Sequence, residues 1–386
     1  MDSPRVKHTK QTQYLLETLA RHTTSFSERP PKSILRNQIP GDVVLVTGTT
    51  GSFGCNILAQ LCLDPHVKKI YALNRDSSRE GLKERQVQAL KLRGVLDDCL
   101  RYPKYQLVEA DLGKPLLGLG VELHTEIQNS VTHIIHNAWT VNLASPLEKF
   151  EDCLQGLRNL IDLALKSPQI AIPKMLFVST MAAVRKYPGL VVPEEHLPDP
   201  SVSIGSGYSE AKWIAEQMLH VASRELGCLP GGDNALVPWI PTYEAAGILC
   251  TMCHSKEPVL HLENPNPIQW NEMVEVCAKE LNVPLIPFDD WLSLLRNYAA
   301  DARIPKTEQM KRNPAVSLVP YLSGMDFTTY ISQGHAGLDT TKAVQAVPKL
   351  KEVRISKEMV TKWVKGWREV GFLPRKEALG VLHSKL

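Results

Sequence analysis

The sequence contains no apolar run near the about 20 residues that a membrane-spanning helix needs. Its apolar stretches are broken by proline or charge, so no membrane span is expected. It also lacks an excess of either charge: 44 Lys and Arg against 41 Asp and Glu leave +3. That balance argues against a nucleic-acid arm or a polyanion-binding surface. Residues 1–10 (MDSPRVKHTK) have no apolar leader core, which disfavours secretion. The eight cysteines, at 55, 62, 99, 153, 228, 250, 253 and 277, form no disulfide framework, so reduced thiols in an intracellular compartment are expected. There is no internal repeat and no low-complexity block. What remains is an ordinary globular composition, 43% apolar and 22% charged over 386 residues. At roughly 150 residues per domain, that length allows two or three domains.

Residues 1–40 are basic and polar, with an amphipathic stretch at Tyr14–Arg21 and a proline-bearing linker at Glu28–Pro31. From Val43 onward, short β-branched runs alternate with helical periodicity, as in a parallel sheet with crossover helices. The spacing predicts strands at Val43–Val46, Ile70–Leu73, Gln106–Val108, His133–Ile135 and Met175–Val178. Helices are expected near 53–63, 78–93, 147–165 and 207–226. Beyond about residue 263 strands are expected to stop, with helices at 270–281, 289–299 and 356–369. The expected fold class is α/β, a Rossmann-type doubly wound parallel sheet with a smaller, mostly helical C-terminal substrate domain. The expected division is a linker helix and polar segment (1–40), a dinucleotide-binding domain (41–262), a substrate domain (263–372) and an exposed tail (373–386).

Directly after the first strand, Thr47, Gly48, Gly51, Ser52, Phe53 and Gly54 belong to a GxxGxxG loop that opens an apolar helix. Glycines let the backbone turn tightly and approach a pyrophosphate, while the helix N-terminus supplies free N–H groups. The second strand ends in Asn74 and Arg75, where an NAD enzyme usually carries an acid for the ribose hydroxyl. An arginine there accommodates a 2′-phosphate, so NADPH is the expected cofactor, with Lys83 or Arg85 as helpers. Asp76 keeps the other nucleotide open, because one register slip restores an acid. Asp111 and Leu112 fall beside the adenine position, and Asn137 and Ala138 line the cleft from the other side.

Of ten tyrosines, only Tyr208 has a lysine four residues on, Lys212, which places both on one helical face. A nearby ammonium is expected to lower the phenol pKa and make Tyr208 a usable acid toward a carbonyl oxygen. Thr180, at the end of the preceding strand, is the hydroxyl expected to join it at the oxyanion, with Ser179 as the alternative.

These motifs bring out a resemblance. VVLVTGTTGSFG (43–54), YALNR (71–75), THIIHNAW (132–139), LFVST (176–180), GYSEAKWIAE (207–216) and WIPTYEAAGIL (239–249) are similar to extended short-chain dehydrogenases/reductases. The closest likeness is to the thioester-reductase domain of fungal adenylate-forming (carboxylic-acid) reductases. The resemblance implies a Thr180–Tyr208–Lys212 triad that reduces an acyl thioester with NADPH to an aldehyde, sometimes onward to an alcohol. It also implies an acyl partner on a phosphopantetheine carrier or on CoA, delivered in trans because no carrier module precedes residue 12. Against the family's order of elements, the resemblance implies that roughly 40 residues forming a strand and loop are missing after residue 225. Reduction of a free ketone or aldehyde, or a catalytically impaired nucleotide-binding remnant, are the rival readings.

Cys250–His254 spells CxxCH, but its apolar context points to a packed helix. His133 and His136 fall on opposite faces of a strand, and no metal site is expected. Ser384-Lys385-Leu386 reads as a peroxisomal address for the import receptor, with the cytoplasm as the alternative location.

Overall fold

The computed structural model describes residues 4–36, 40–75, 81–95, 104–226, 239–268, 270–281, 288–300, 305–312, 315–316, 319 and 337–369. The SKL ending, Asp76 and most of the stretch after residue 225 (227–238) therefore lie outside the described residues. The chain divides into two compact units. The first comprises Met1–Asn234, Ile240–Pro265 and Leu338–Val353; the second comprises Ala235–Trp239, Asn266–Gly337 and Arg354–Leu386.

The first unit is built on a five-stranded parallel sheet of order β3-β2-β1-β4-β5. Its strands are β1 (Asp42–Thr47), β2 (Val67–Asn74), β3 (Tyr105–Glu109), β4 (His133–His136) and β5 (Lys174–Phe177). Each matches an expected strand to within a few residues. The alternation along them sends side chains to two separate cores. Leu45, Tyr71, Leu73, Ile134 and Phe177 enter one core. Val44, Val46, Ile70, Ala72 and Ile135 enter the other.

Helices cover both faces. On the first lie α1 (Pro4–Thr23), α4 (Val121–Ser130), α5 (Glu151–Leu165) and α6 (Gly207–Leu226), through Leu15, Ile127, Leu154, Leu157, Trp213 and Ile214. The second carries α2 (Ser52–Leu63), α3 (Leu82–Lys91) and α7 (Thr242–Met252), through Ile57, Leu58, Leu61, Leu90, Ala246 and Leu249. Helix α1 runs well beyond the amphipathic stretch and is docked rather than dangling: Leu15 is fully buried. Gln11 donates to Glu210 at 2.9 Å, and Arg158 donates to the carbonyls of His22, Thr24 and Ser25.

One expectation needs correcting, because strands do not stop at 263. Gly337–Leu338 pairs with the two-residue strand Val191–Val192, a pairing too short to leave an alternating signal. Nearby, Glu194 accepts from the backbone N–H groups of His261, Lys342 and Ala343, which ties distant segments of the first unit together. The described part of the second unit is mostly helical. Helices Trp270–Leu281 and Lys357–Glu369 enclose Met273, Ile355 and Val360, and Arg368 donates to the Glu280 carbonyl.

Candidate active site

Parallel strands end together, so the turns after β1, β2, β4 and β5 gather at one edge of the sheet. After β1 the chain enters the glycine loop with Gly48 at φ +73°, a conformation that disfavours any side chain. A Cβ on Gly48 would also stand 2.9 Å from the Ala138 Cα, and one on Gly54 would stand 2.0 Å from the Gly48 carbonyl oxygen. The loop is thus folded tightly onto the turn after β4. Gly51 precedes the first turn of α2, Ser52 and Phe53 begin it, and no side chain caps it. Uncapped N–H groups and the helix dipole suit a phosphate, so the residues present fit a dinucleotide.

Thr47 and Asn74 do a different job from the expected one. Thr47 is fully buried, and its hydroxyl oxygen accepts from the N–H groups of Asn137 (3.1 Å) and Ala138 (2.9 Å). Its proton is then left for His136 Nδ1, 2.9 Å away. The Asn74 amide donates to Thr49 Oγ1 at 2.7 Å and accepts from the Thr50 N–H at 3.1 Å. Gln86 completes this brace by donating to the Thr49 carbonyl at 2.9 Å. Both side chains therefore spend polar groups on shaping the loop. Arg75 is exposed, and its carbonyl accepts from Arg85. Asp111 is exposed beside Lys114 at 3.2 Å, whereas Leu112 packs toward the core. Asn137 is half-buried, and its amide donates to the Gly48 carbonyl at 3.3 Å.

Across the cleft, the turn after β5 brings Thr180 to Tyr208 at the start of α6, and Lys212 follows one helical turn on. Thr180, rather than Ser179, is hydrogen-bonded to Tyr208. Ser179 donates to Glu216 instead. The Lys212 ammonium donates to the Val178 carbonyl at 2.6 Å and lies over the Trp139 and Phe177 rings at 4.4 and 4.3 Å. Contacts thus run from Gly48 through Ala138 and Trp139 to Lys212, which lies one turn beyond Tyr208 on α6.

The expected lowering of the tyrosine pKa does not occur. Burial raises the Tyr208 phenol above its ordinary value, opposed only by the Thr180 hydrogen bond. The lysine is the group brought into range: burial lowers it to about 7, with the Glu216 charge working in the opposite direction. Glu216, fully enclosed, is pushed by burial up to about 7. Glu216 continues the Tyr208–Lys212 spacing by one more turn, a signal the sequence did carry. His136 left no such signal. Burial holds it down at about 3, so its imidazole is neutral. With Nδ1 accepting from Thr47, the ring proton sits on Nε2, which is buried without a partner.

The CxxCH residues are not redox-paired. Cys250 lies within α7 and Cys253 just beyond it; both are free thiols, and burial pushes Cys250 up to about 12 and Cys253 higher still. His133 and His136 do face opposite ways, His136 stacking on Phe177 while His133 meets His254. No described helix is long and apolar enough to cross a membrane.

Comparison with known proteins agrees with this architecture. The NAD-binding male sterility protein family matches residues 46–229. Adenylate-forming reductase Nps10 of Heterobasidion annosum is 33% identical over 92% of this chain, and the citrinin polyketide synthase of Monascus ruber is 31% identical over 94%. The chain spans only 37% and 16% of those relatives' own lengths. Among solved structures, the terminal R domain of the myxalamid PKS-NRPS pathway superposes with a TM-score of 0.74 at 21% identity, covering 94% of this chain and 99% of that one. The reductase domain of a Mycobacterium tuberculosis non-ribosomal peptide synthetase gives 0.64 at 18%, covering 92% and 96%. By sequence and by fold, the chain is similar to reductase domains of the thioester-reductase type among the extended short-chain dehydrogenases/reductases.

Proposed function

We propose that this chain is an NADPH-dependent reductase of acyl thioesters in fungal-type secondary metabolism. It would accept an acyl group held on a carrier's phosphopantetheine arm or on CoA and release an aldehyde, or an alcohol after a second reduction. The observation that carries this reading is the run of contacts from the Gly48 loop through Ala138 and Trp139 to Lys212, on the same helix as Tyr208 and its partner Thr180. NADPH is favoured because β2 ends in Asn74, whose amide is used internally, followed by exposed Arg75.

Gly48, Gly51, Gly54 and the first turn of α2 would hold the pyrophosphate, and Arg75 the 2′-phosphate. When bound, the reduced nicotinamide supplies a hydride to the acyl carbon. The Thr180 and Tyr208 hydroxyls donate to the oxygen on which negative charge gathers. A phenol held above its ordinary pKa stays protonated at neutral pH and is ready to donate. Lys212, lowered by burial to about 7, holds the turn after β5 through the Val178 carbonyl. Collapse then re-forms the carbonyl and expels the thiol, so thioester, NADPH and a proton become aldehyde, thiol and NADP.

The test is to titrate purified protein with NADPH and NADH, then add acyl-CoA and follow the nicotinamide absorbance. Tighter NADPH binding with thioester-dependent oxidation is expected. NADPH binding without turnover of any thioester would sink the reading.

A further inference from the structure

We propose that Asp42, His133 and His254 form a zinc site at the edge of the sheet opposite the dinucleotide loop. The three residues come from separate parts of the first unit: the start of β1, the start of β4 and the turn after α7. One potential ligand atom from each lies within 4.8 Å of the other two. His133 Nδ1 is 3.5 Å from Asp42 Oδ1, and His254 Nε2 is 3.9 Å from Asp42 Oδ2. Tetrahedral zinc with bonds of about 2.1 Å needs ligand atoms about 3.4 Å apart, so only a small closure is required. His254 can supply it, because its side chain is 51% exposed.

Two imidazoles and a carboxylate are borderline ligands of the kind zinc selects, and three of them leave a fourth position for water. The surroundings are built rather than accidental. His133 is 8% exposed and turns its Nδ1 toward the Asp42 carboxylate. Thr132 Oγ1 lies 2.9 Å from His133 Nδ1 but also reaches the Val43 carbonyl at 3.2 Å, so its proton has another acceptor when Nδ1 takes a metal. The His133 and His254 rings meet edge to face, with centroids 5.0 Å apart.

Lys174 opposes the ion. Its ammonium donates to the His254 carbonyl at 3.4 Å, and a dication nearby is repelled by it. Asp42 starts the strand that ends at the glycine loop, six residues away, which separates the two sites by about 20 Å at the usual rise. The proposed role is therefore structural: the metal would fasten the chain after α7 to the starts of β1 and β4, without touching the reacting atoms.

The full chain, stripped with a chelator, is titrated with zinc chloride against a chromophoric competitor, and melting is followed with and without zinc. One zinc per chain and a rise in Tm are expected. Asp42→Asn and His254→Gln should each weaken zinc at least tenfold, the scale seen when even an outer-shell partner is lost. Both should melt like wild type when zinc is absent, and Lys174→Met should bind zinc several-fold more tightly. Cobalt(II) in the site should show no thiolate charge-transfer band. Absence of zinc binding would overturn the proposal. So would binding that survives both ligand variants but is lost in Cys250→Ser or Cys253→Ser.

Discussion

Replacing Thr47 with valine removes one hydroxyl and almost no volume, yet that hydroxyl joins three partners. Its oxygen accepts from Asn137 N and Ala138 N, and its proton goes to His136 Nδ1. Valine leaves all three without a partner at a position that is fully buried. At about 1 kcal/mol per neutral hydrogen bond, Thr47→Val should cost about 3 kcal/mol. For a unit of this size that is a fall in melting temperature of roughly 6–12 °C. Dinucleotide affinity should fall with it, since the Asn137–Ala138 turn packs directly on Gly48. Differential scanning calorimetry of wild type, Thr47→Val and Thr47→Ser separates the terms, because serine keeps the hydroxyl and loses only the methyl. A valine variant that melts within about 2 °C of wild type, or a serine variant that melts below valine, would refute the idea that the hydroxyl organises this edge.

Tyr208→Phe should abolish thioester reduction while leaving NADPH affinity within a few-fold, measured by fluorescence titration; retained turnover would remove Tyr208 from the chemistry. His136 is held at about 3 in the fold against about 6.5 unfolded, so below pH 6.5 the unfolded chain binds more protons and stability falls as pH drops. That single group contributes about 1.4 kcal/mol of loss at pH 5.5, and in His136→Phe the difference in stability between pH 7.5 and 5.5 should shrink by this amount in urea melts. A fluorescent protein extended at its C-terminus by residues 373–386 should enter peroxisomes, and deletion of Ser384, Lys385 and Leu386 should return it to the cytoplasm. Import unaffected by the deletion would reject the address.

The parallel sheet was legible because its strands are short β-branched runs, each followed by a periodic helix. The glycine loop and the Tyr208–Lys212 spacing were legible because they are local in sequence. What was not legible depends on partners far apart in the chain. Gln86 braces Thr49 across 37 positions, and nothing in the loop motif points to it. Thr47 and Asn74 flank the loop in sequence, but their hydrogen bonds to Asn137 and Thr49 are set by the fold. The Tyr208 phenol is also governed by its surroundings in the fold. Helical spacing puts Lys212 on the right face, but its ammonium goes to the Val178 carbonyl, and burial decides the phenol. His133 and His254 are 121 positions apart and were each set aside on local spacing; the fold brings them to the same aspartate.

The most direct test of the proposed reduction uses NADPH deuterated at its transferable position, an acyl-CoA and the wild-type chain in a single turnover. The account predicts one deuterium at the aldehyde carbon for each CoA thiol released, and neither product in Tyr208→Phe. Thiol released without deuterium in the product would mean hydrolysis, and NADPH oxidised without thiol release would mean reduction of some other carbonyl; either result contradicts the account.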